Sequence, residues 1–151
     1  MAELLPLLIQ GAWVTIQVTF FGSILAIVAA ILAALGRMSS WRLLSWFSVA
    51  YIEVFRGTSL LVQLFWLFFV LPLPPFNVEL SPYAVAIVGL GLHIGAYGAE
   101  VMRGAISSVA KGQYEAATAL NFSGYKRFRR IILPQALLAA IPPGTNLLIE
   151  L

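Results

Sequence analysis

Two pairs of opposite charge stand out in a sequence that carries few charges: Glu53 with Arg56, and Glu100 with Arg103, each pair three residues apart. At helical spacing this puts both partners on one face and within pairing reach. The first pair falls inside a long apolar run and the second at the inner end of another; an unpaired charge at a bilayer centre costs roughly 2.5–3.5 kcal/mol on insertion scales, and positions near span ends and the presence of partners both reduce that cost. Their first chemistry is therefore mutual neutralisation, with anchoring at an inner interface. Charges inside apolar segments are also functional candidates by default, and these four are candidates for joining helices around an inner gate. His93 is the single histidine. One imidazole with no second ligand near it in sequence cannot hold zinc. Its readings are a bridge between helices, which is favoured because polar side chains commonly join helices in bilayers, and a hydrogen bond to solute in a translocation path. Ser23 has no titratable neighbour in its segment to activate it as a nucleophile. The pattern GxxxxGK[ST] that cradles phosphates is absent. No catalytic residue, no metal site and no ATPase site are expected.

The elements that hold these residues must be membrane helices. Hydrophobic residues make up 61% of the chain and charged residues 10%, with a mean hydropathy of +0.95; soluble domains carry about 25% charged residues. A spanning helix needs ~20 mostly apolar residues, and four segments qualify: about 14–35, 46–71, 83–102 and 131–151. Four prolines make Pro72 to Pro82 a loop. Gly89, Gly91, Gly95 and Gly98 suit the third span to close packing, whereas Pro134 and Pro142-Pro143-Gly144 interrupt the fourth. Trp13, Trp41 and Trp46 fall near span ends, as interfacial anchors do. All nine lysines and arginines lie on one side of this arrangement. The positive-inside rule then puts the N-terminus outside and residues 103–130 in the cytoplasm. Topology thus explains the pI of about 9.6 without a nucleic-acid partner. MAELLPLLIQGAW lacks the basic start and small-residue cleavage site of a signal peptide, so the first span is expected to be kept. Leu147 to Leu151 are still apolar but for Glu150, and a further helix is expected after them. Without cysteine, no disulfide or thiolate site is available.

The stretch GQYEAATALNFSGYKRFRR, Gly112 to Arg130, reads as soluble protein between two spans. Gln113 to Leu120 are mostly good helix formers, Asn121-Phe122-Ser123-Gly124 can end that helix, and Ser123 can cap the next stretch. Lys126, Arg127, Arg129 and Arg130 then sit beside the membrane, where anionic lipid attracts such clusters. Lipid anchoring leaves the small face of Ala116, Ala117 and Ala119 without a use. That face lets another protein approach closely.

Four motifs in order carry a resemblance. Glu115-Ala116-Ala117 with Leu120, and later Leu133-Pro134-Gln135-Ala136, resemble the EAA signature of membrane subunits of ATP-binding cassette importers. Tyr51 to Leu64, YIEVFRGTSLLVQL, resembles YxExFRGTPLLVQL of the polar amino acid (histidine/glutamine-type) branch. Gly95 to Ile106, GAYGAEVMRGAI, resembles that branch's SGAYxAExxRGAI, and Lys111-Gly112-Gln113 precedes the EAA as in the family. The resemblance implies an all-α type I importer permease, a polytopic helical bundle with a cytoplasmic coupling helix. It implies that Gly112, Glu115, Ala116, Ala117, Leu120 and Asn121 couple the chain to the ATPase, with Glu115, Ala116, Ala117 and Leu120 as the docking surface. Asn121 stands where the family has glycine, and asparagine can visit the left-handed conformation at some cost. Ser59 replaces a usual proline. These departures, with ALNF and NLLIEL, are similar to the ectoine/hydroxyectoine permeases.

The function expected is therefore a permease subunit of a binding-protein-dependent importer in a bacterial inner membrane, moving a small zwitterionic solute inward. Ectoine or hydroxyectoine is favoured, with polar amino acids such as histidine, glutamine or arginine as the alternative. An ATP-independent channel or secondary transporter is more remote. Implied partners are an ATPase subunit holding ATP and Mg, a second copy or a similar permease subunit, an extracytoplasmic solute-binding protein and the lipid bilayer. This chain itself is expected to bind no cofactor.

Overall fold

The computed structural model describes residues 4–151, so the first three residues of the N-terminal stretch lie outside it. Every regular element among the described residues is helical. Helix α1 runs Leu4–Arg37, ten residues earlier than the first span expected, because the apolar run continues upstream and Pro6 sits in the first turn, where proline is tolerated. Arg37 ends α1, where a cation complements the carboxyl end of the helix dipole. Helix α2 is Arg42–Gly57 and α3 is Leu60–Phe65, continued by a π-helical turn over Trp66–Val70. Helix α4 spans Pro82–Ser108, α5 Lys111–Ala119, α6 Gly124–Arg127 and α7 Leu133–Ile149, with a second π-helical turn, Phe128–Ile132, between α6 and α7. Three stretches are long and apolar enough to cross a membrane (Pro6–Arg37, Pro82–Ser108 and Gly124–Ile149), and the bent pair α2–α3 makes a fourth if taken as one span.

The longest helices, α1 and α4, pack through a seam of small residues. A Cβ on Gly91 would lie 2.8 Å from Leu25, one on Gly95 2.7 Å from Ala29 Cβ and 3.1 Å from the Ala26 carbonyl, and one on Gly98 2.8 Å from Ala30 Cβ. Backbones approach this closely in membranes only over small residues. The expectation for these glycines and Gly89 came from composition; the structure adds that the partner of Gly91, Gly95 and Gly98 is α1, whereas Gly89 faces Leu64 of α3 and Leu67.

The second span departs from a straight 46–71 helix. Chain direction changes by 108° between α2 and α3–Val70, since Thr58 and Ser59 are extended. The break is internally satisfied: Gln63 Nε2 donates to the Phe55 carbonyl at 2.9 Å and to Thr58 Oγ1 at 2.8 Å. Polar backbone exposed by a broken helix must find such partners in lipid. Helix α2 crosses both long helices. Ile52, fully buried, packs with Ala33, Ala34 and Ala99, and Tyr51 donates to the Leu92 carbonyl at 2.6 Å.

Helix α4 starts at a cap, with Ser81 Oγ accepting from Ala84 N at 3.2 Å and Pro82 in the first turn. It continues six residues beyond the expected end at Met102, so Arg103 belongs to α4 and not to the loop. The expected interruption of the last span is also absent: α7 runs through Pro142 and Pro143. Its buried Ala136, with Ile132 before it, packs on Ala105, Ile106 and Val109 at the end of α4. That packing stabilises a helix the prolines would otherwise break.

Candidate functional site

The charged residues expected to form two separate pairs form one cluster. Glu100 Oε2 accepts from Arg103 at 3.0 Å, one turn on, while Glu100 Oε1 is held by Arg37 from the end of α1. Arg56 reaches over from α2 to 3.8 Å from the same carboxylate and lies 5.3 Å from the centre of the Tyr97 ring. The Glu53–Arg56 pair is not made; Glu53 is exposed and has no ion pair among the described residues. Arg56 instead reaches α4. One carboxylate, 17% exposed, thus neutralises part of three guanidiniums and ties α1, α2 and α4 together. Sequence spacing could show Arg103 as a partner, but Arg37 is 63 residues away and Arg56 was claimed by the nearer Glu53.

Above this cluster His93 bridges helices. Its Nδ1 is 3.1 Å from Gln63 Oε1 on α3, and since that oxygen only accepts, Nδ1 carries the proton. The ring also lies 5.2 Å from Tyr97. Gln63, missed in the sequence, therefore joins α4 and both sides of the break. No group of three or more acidic, histidine or cysteine side chains suited to a metal exists among the described residues.

Helix α5 holds the insert against the base of the bundle. Tyr114 is half-buried beside the α4–α7 packing, and its hydroxyl faces the Ile106 carbonyl at 3.4 Å. Arg127 donates to Thr118 Oγ1 at 3.1 Å and sits over the Tyr114 ring at 5.9 Å. Gln135 of α7 meets Gln113 at 3.4 Å. Ser123 Oγ accepts from Lys126 N, so the second stretch has the cap expected for it. Of the expected docking residues, Glu115, Ala116 and Leu120 are exposed, Leu120 at 67%. Ala117 is fully buried. It belongs to the seat of the helix, because α5 turns this side to α6 and the π-helical turn that follows. Gly112 is exposed with open space around its α-carbon.

Asn121 closes the turn with φ +56°, and the Phe122 amide donates back to the Ala117 carbonyl at 3.0 Å. Glycine adopts this conformation without strain, whereas β-branched residues resist it. Asn121→Gly is expected to leave stability unchanged or raise it by up to about 1 kcal/mol, and Asn121→Val to lower it by about 1–2 kcal/mol. Thermal unfolding in detergent measures both; equal melting of the two variants would show that the turn does not hold α5.

Residues 8–151 match the family model described as the binding-protein-dependent transport system inner membrane component. The chain belongs to this family. It is 48% identical over 144 residues to the probable amino-acid ABC transporter permease protein y4tF of Sinorhizobium fredii, covering 93% of this chain and 60% of that one. It is 42% identical to the L-cystine transport system permease protein TcyB of Bacillus subtilis, over 97% of this chain and 62% of the relative. With the glutamine transport system permease protein GlnP of Escherichia coli it shares 36% identity, over 94% and 65% of the two chains. The chain thus spans under two thirds of the length of these relatives. Among solved structures it superposes on an amino acid ABC transporter crystallised with histidines, with TM-score 0.91 and 33% identity, covering 99% of this chain and 69% of that one. It also shares the fold of the MetNI methionine ABC transporter, at TM-score 0.72 and 22% identity over 99% of this chain and 72% of that one. The helices described here are those of a type I importer permease.

Proposed function

We propose that this chain acts as the membrane subunit of a binding-protein-dependent ABC importer that carries polar amino acids, of the glutamine or cystine kind, into a bacterial cell. The observation that carries this reading is α5. It is a short helix clamped to the bundle on its Ala117 side, with Glu115, Ala116 and Leu120 left free on the other. A helix fixed this way transmits a push from a soluble partner to α4 and α7, which a flexible loop would absorb. In this reading an ATPase subunit holding ATP and Mg docks on Glu115, Ala116 and Leu120. Gly112 and Asn121 bound the docking helix. A second copy or a similar permease subunit completes the path, and an extracytoplasmic binding protein delivers solute. The N-terminus is outside, on the positive-inside argument.

The amino acid reading displaces ectoine. The relatives named above carry amino acid, cystine and glutamine in their names, and the ectoine expectation rested on two short phrases and two substitutions. Competition uptake separates the two: excess unlabelled L-glutamine or L-cystine is expected to suppress uptake, and suppression by ectoine alone would reverse the assignment.

Coupling is tested by disulfide trapping in the assembled transporter. A cysteine at Ala116 is expected to cross-link to one in the groove of the ATPase subunit, with a yield that changes on ATP binding. A cysteine at buried Ala117 is expected to stay unlinked. Cross-linking at neither position, with both subunits folded and assembled, would return α5 to a lipid-anchored loop and favour an ATP-independent channel.

A further inference from the structure

Three guanidiniums and one carboxylate do not balance. Arg37, Arg56 and Arg103 converge on Glu100, which leaves two positive charges uncompensated where α1, α2 and α4 meet. Glu53, the nearest other carboxylate to Arg56 in sequence, makes no ion pair among the described residues. Each guanidinium also carries more N–H donors than a shared carboxylate can use. Arg37 and Arg103 donate to Glu100 and to no other described residue. Arg56 makes no hydrogen bond among the described residues; it is held 3.8 Å from the carboxylate and 5.3 Å from the centre of the Tyr97 ring. The three side chains are 28–45% exposed, so unused donors are accessible. Like charges this close repel strongly wherever water is scarce, and an anion among them removes that repulsion.

The position of the cluster selects the anion. Arg37 is the last residue of α1, and Arg103 lies within two turns of the end of α4. This is the end of the bundle that holds every lysine and arginine of the chain. Helix α2 stays near the same level. Ser45 donates to the Arg37 carbonyl at 3.2 Å, and Ile52 packs on Ala33 and Ala34. About 10 Å of α2 therefore moves only about 5–6 Å back along α1, at about 1.5 Å per residue. An oblique helix with exposed Trp46, Phe47 and Val54 and arginine at both ends suits a membrane interface. Basic pockets between helices at that level bind acidic lipid head groups. The insert offers cations of another kind: Lys126, Arg129 and Arg130 are exposed, and water and salt screen them.

We infer that Arg37, Arg56 and Arg103 form a binding site for the phosphate of an anionic phospholipid. The phosphate oxygens accept from Arg56 and from the spare N–H groups of Arg37 and Arg103, and the phosphate charge brings the cluster closer to neutrality. Arginine suits this role because its planar fork meets phosphate oxygens in pairs. A zwitterionic lipid brings a cation with its phosphate, so the site favours phosphatidylglycerol over phosphatidylcholine. The site does not depend on which solute is carried.

The test uses the full-length permease purified with its ATPase subunit in detergent. Equal amounts of phosphatidylglycerol and phosphatidylcholine are added, and the lipid retained through size exclusion is measured by mass spectrometry. Wild-type protein is expected to retain phosphatidylglycerol preferentially. Arg56→Gln is expected to lower that preference about tenfold, the effect of one charge-assisted hydrogen bond, and Arg56→Lys to keep most of it. Glu100→Gln removes the competing anion and is expected to strengthen the preference, which a general loosening of the bundle would not do. Arg129→Gln with Arg130→Gln should leave it unchanged. Equal retention of the two lipids by wild type, or a preference that Arg56→Gln keeps, overturns the site. So does a preference that Glu100→Gln weakens, or one lost only in the Arg129 and Arg130 variant, which would move lipid binding to the insert. Inorganic phosphate and L-glutamine should not displace the lipid, because neither has acyl chains to bury. Displacement by either would make the cluster a site for a soluble anion and overturn the lipid.

Discussion

Glu100→Gln is expected to destabilise the protein more than any other single charge change in the chain. The glutamine keeps the shape of the side chain but leaves Arg37, Arg56 and Arg103 facing one another with no anion among them. Removing one partner of a fully buried pair costs about 3–5 kcal/mol. Here the arginines are 28–45% exposed, so water screens part of the repulsion and the expected loss is about 2–3 kcal/mol. Removing one arginine should cost less, because two remain to neutralise the carboxylate. Arg56→Gln should be the mildest, since Arg56 stands at 3.8 Å and makes no hydrogen bond to it. Combining Glu100→Gln with Arg56→Gln should recover part of the loss, because one of three like charges is gone. Glu53→Gln, one turn away on α2 but unpaired, should change stability by less than about 0.5 kcal/mol. Thermal unfolding of the purified variants reads the whole series. If Glu53→Gln melted as low as Glu100→Gln, or the double variant fell below Glu100→Gln, the cluster would not be what joins α1, α2 and α4.

The second large effect is expected at Gly95. A methyl group there would meet Ala29 Cβ at 2.7 Å, the Tyr51 hydroxyl at 3.0 Å and the Ala26 carbonyl at 3.1 Å. The last is backbone and cannot swing aside, so α1 and α4 would have to separate. Overpacking of this kind costs about 1–3 kcal/mol, and Gly95→Ala is expected at the upper end. Gly95→Leu should prevent accumulation of folded protein. Gly104→Ala, on the same helix with nothing within 4 Å, should be neutral or stabilising, since alanine favours the helix by about 1 kcal/mol. Fluorescence-detected size exclusion gives yield and melting together. Equal behaviour of Gly95→Ala and Gly104→Ala would mean that the seam yields and that close backbone contact does not hold the two helices.

Much of this architecture was legible before any coordinates. Hydropathy placed the apolar helices, because a chain that lives in lipid must bury its backbone polarity in helices and reveal it in composition. The polar insert, its helix and the Ser123 cap were legible for the same local reason: caps and helix formers act within a few residues. The left-handed turn at Asn121 also followed from the residue type. The sequence misled wherever a partner lies far along the chain. Spacing paired Glu53 with Arg56 because a sequence shows only neighbours; the fold brings α2 across α4 so that Arg56 meets Glu100, and Arg37 arrives from α1. The bend at Thr58 and Ser59 was passed over because the apolar runs on both sides were read as one span, although Arg56-Gly57-Thr58-Ser59 interrupts them, and the Gln63 contacts explain how the break is tolerated. Ala117 matched a docking motif by type, yet type does not say which side of a nine-residue helix is covered. Proline chemistry wrongly marked α7 as interrupted, because packing of Ala136 and Ile132 on α4 outweighs the two lost hydrogen bonds. Local chemistry determined the elements and their solvent. Which charge answers which, and which faces of α5 are covered or left exposed, was decided by contacts between residues distant in sequence.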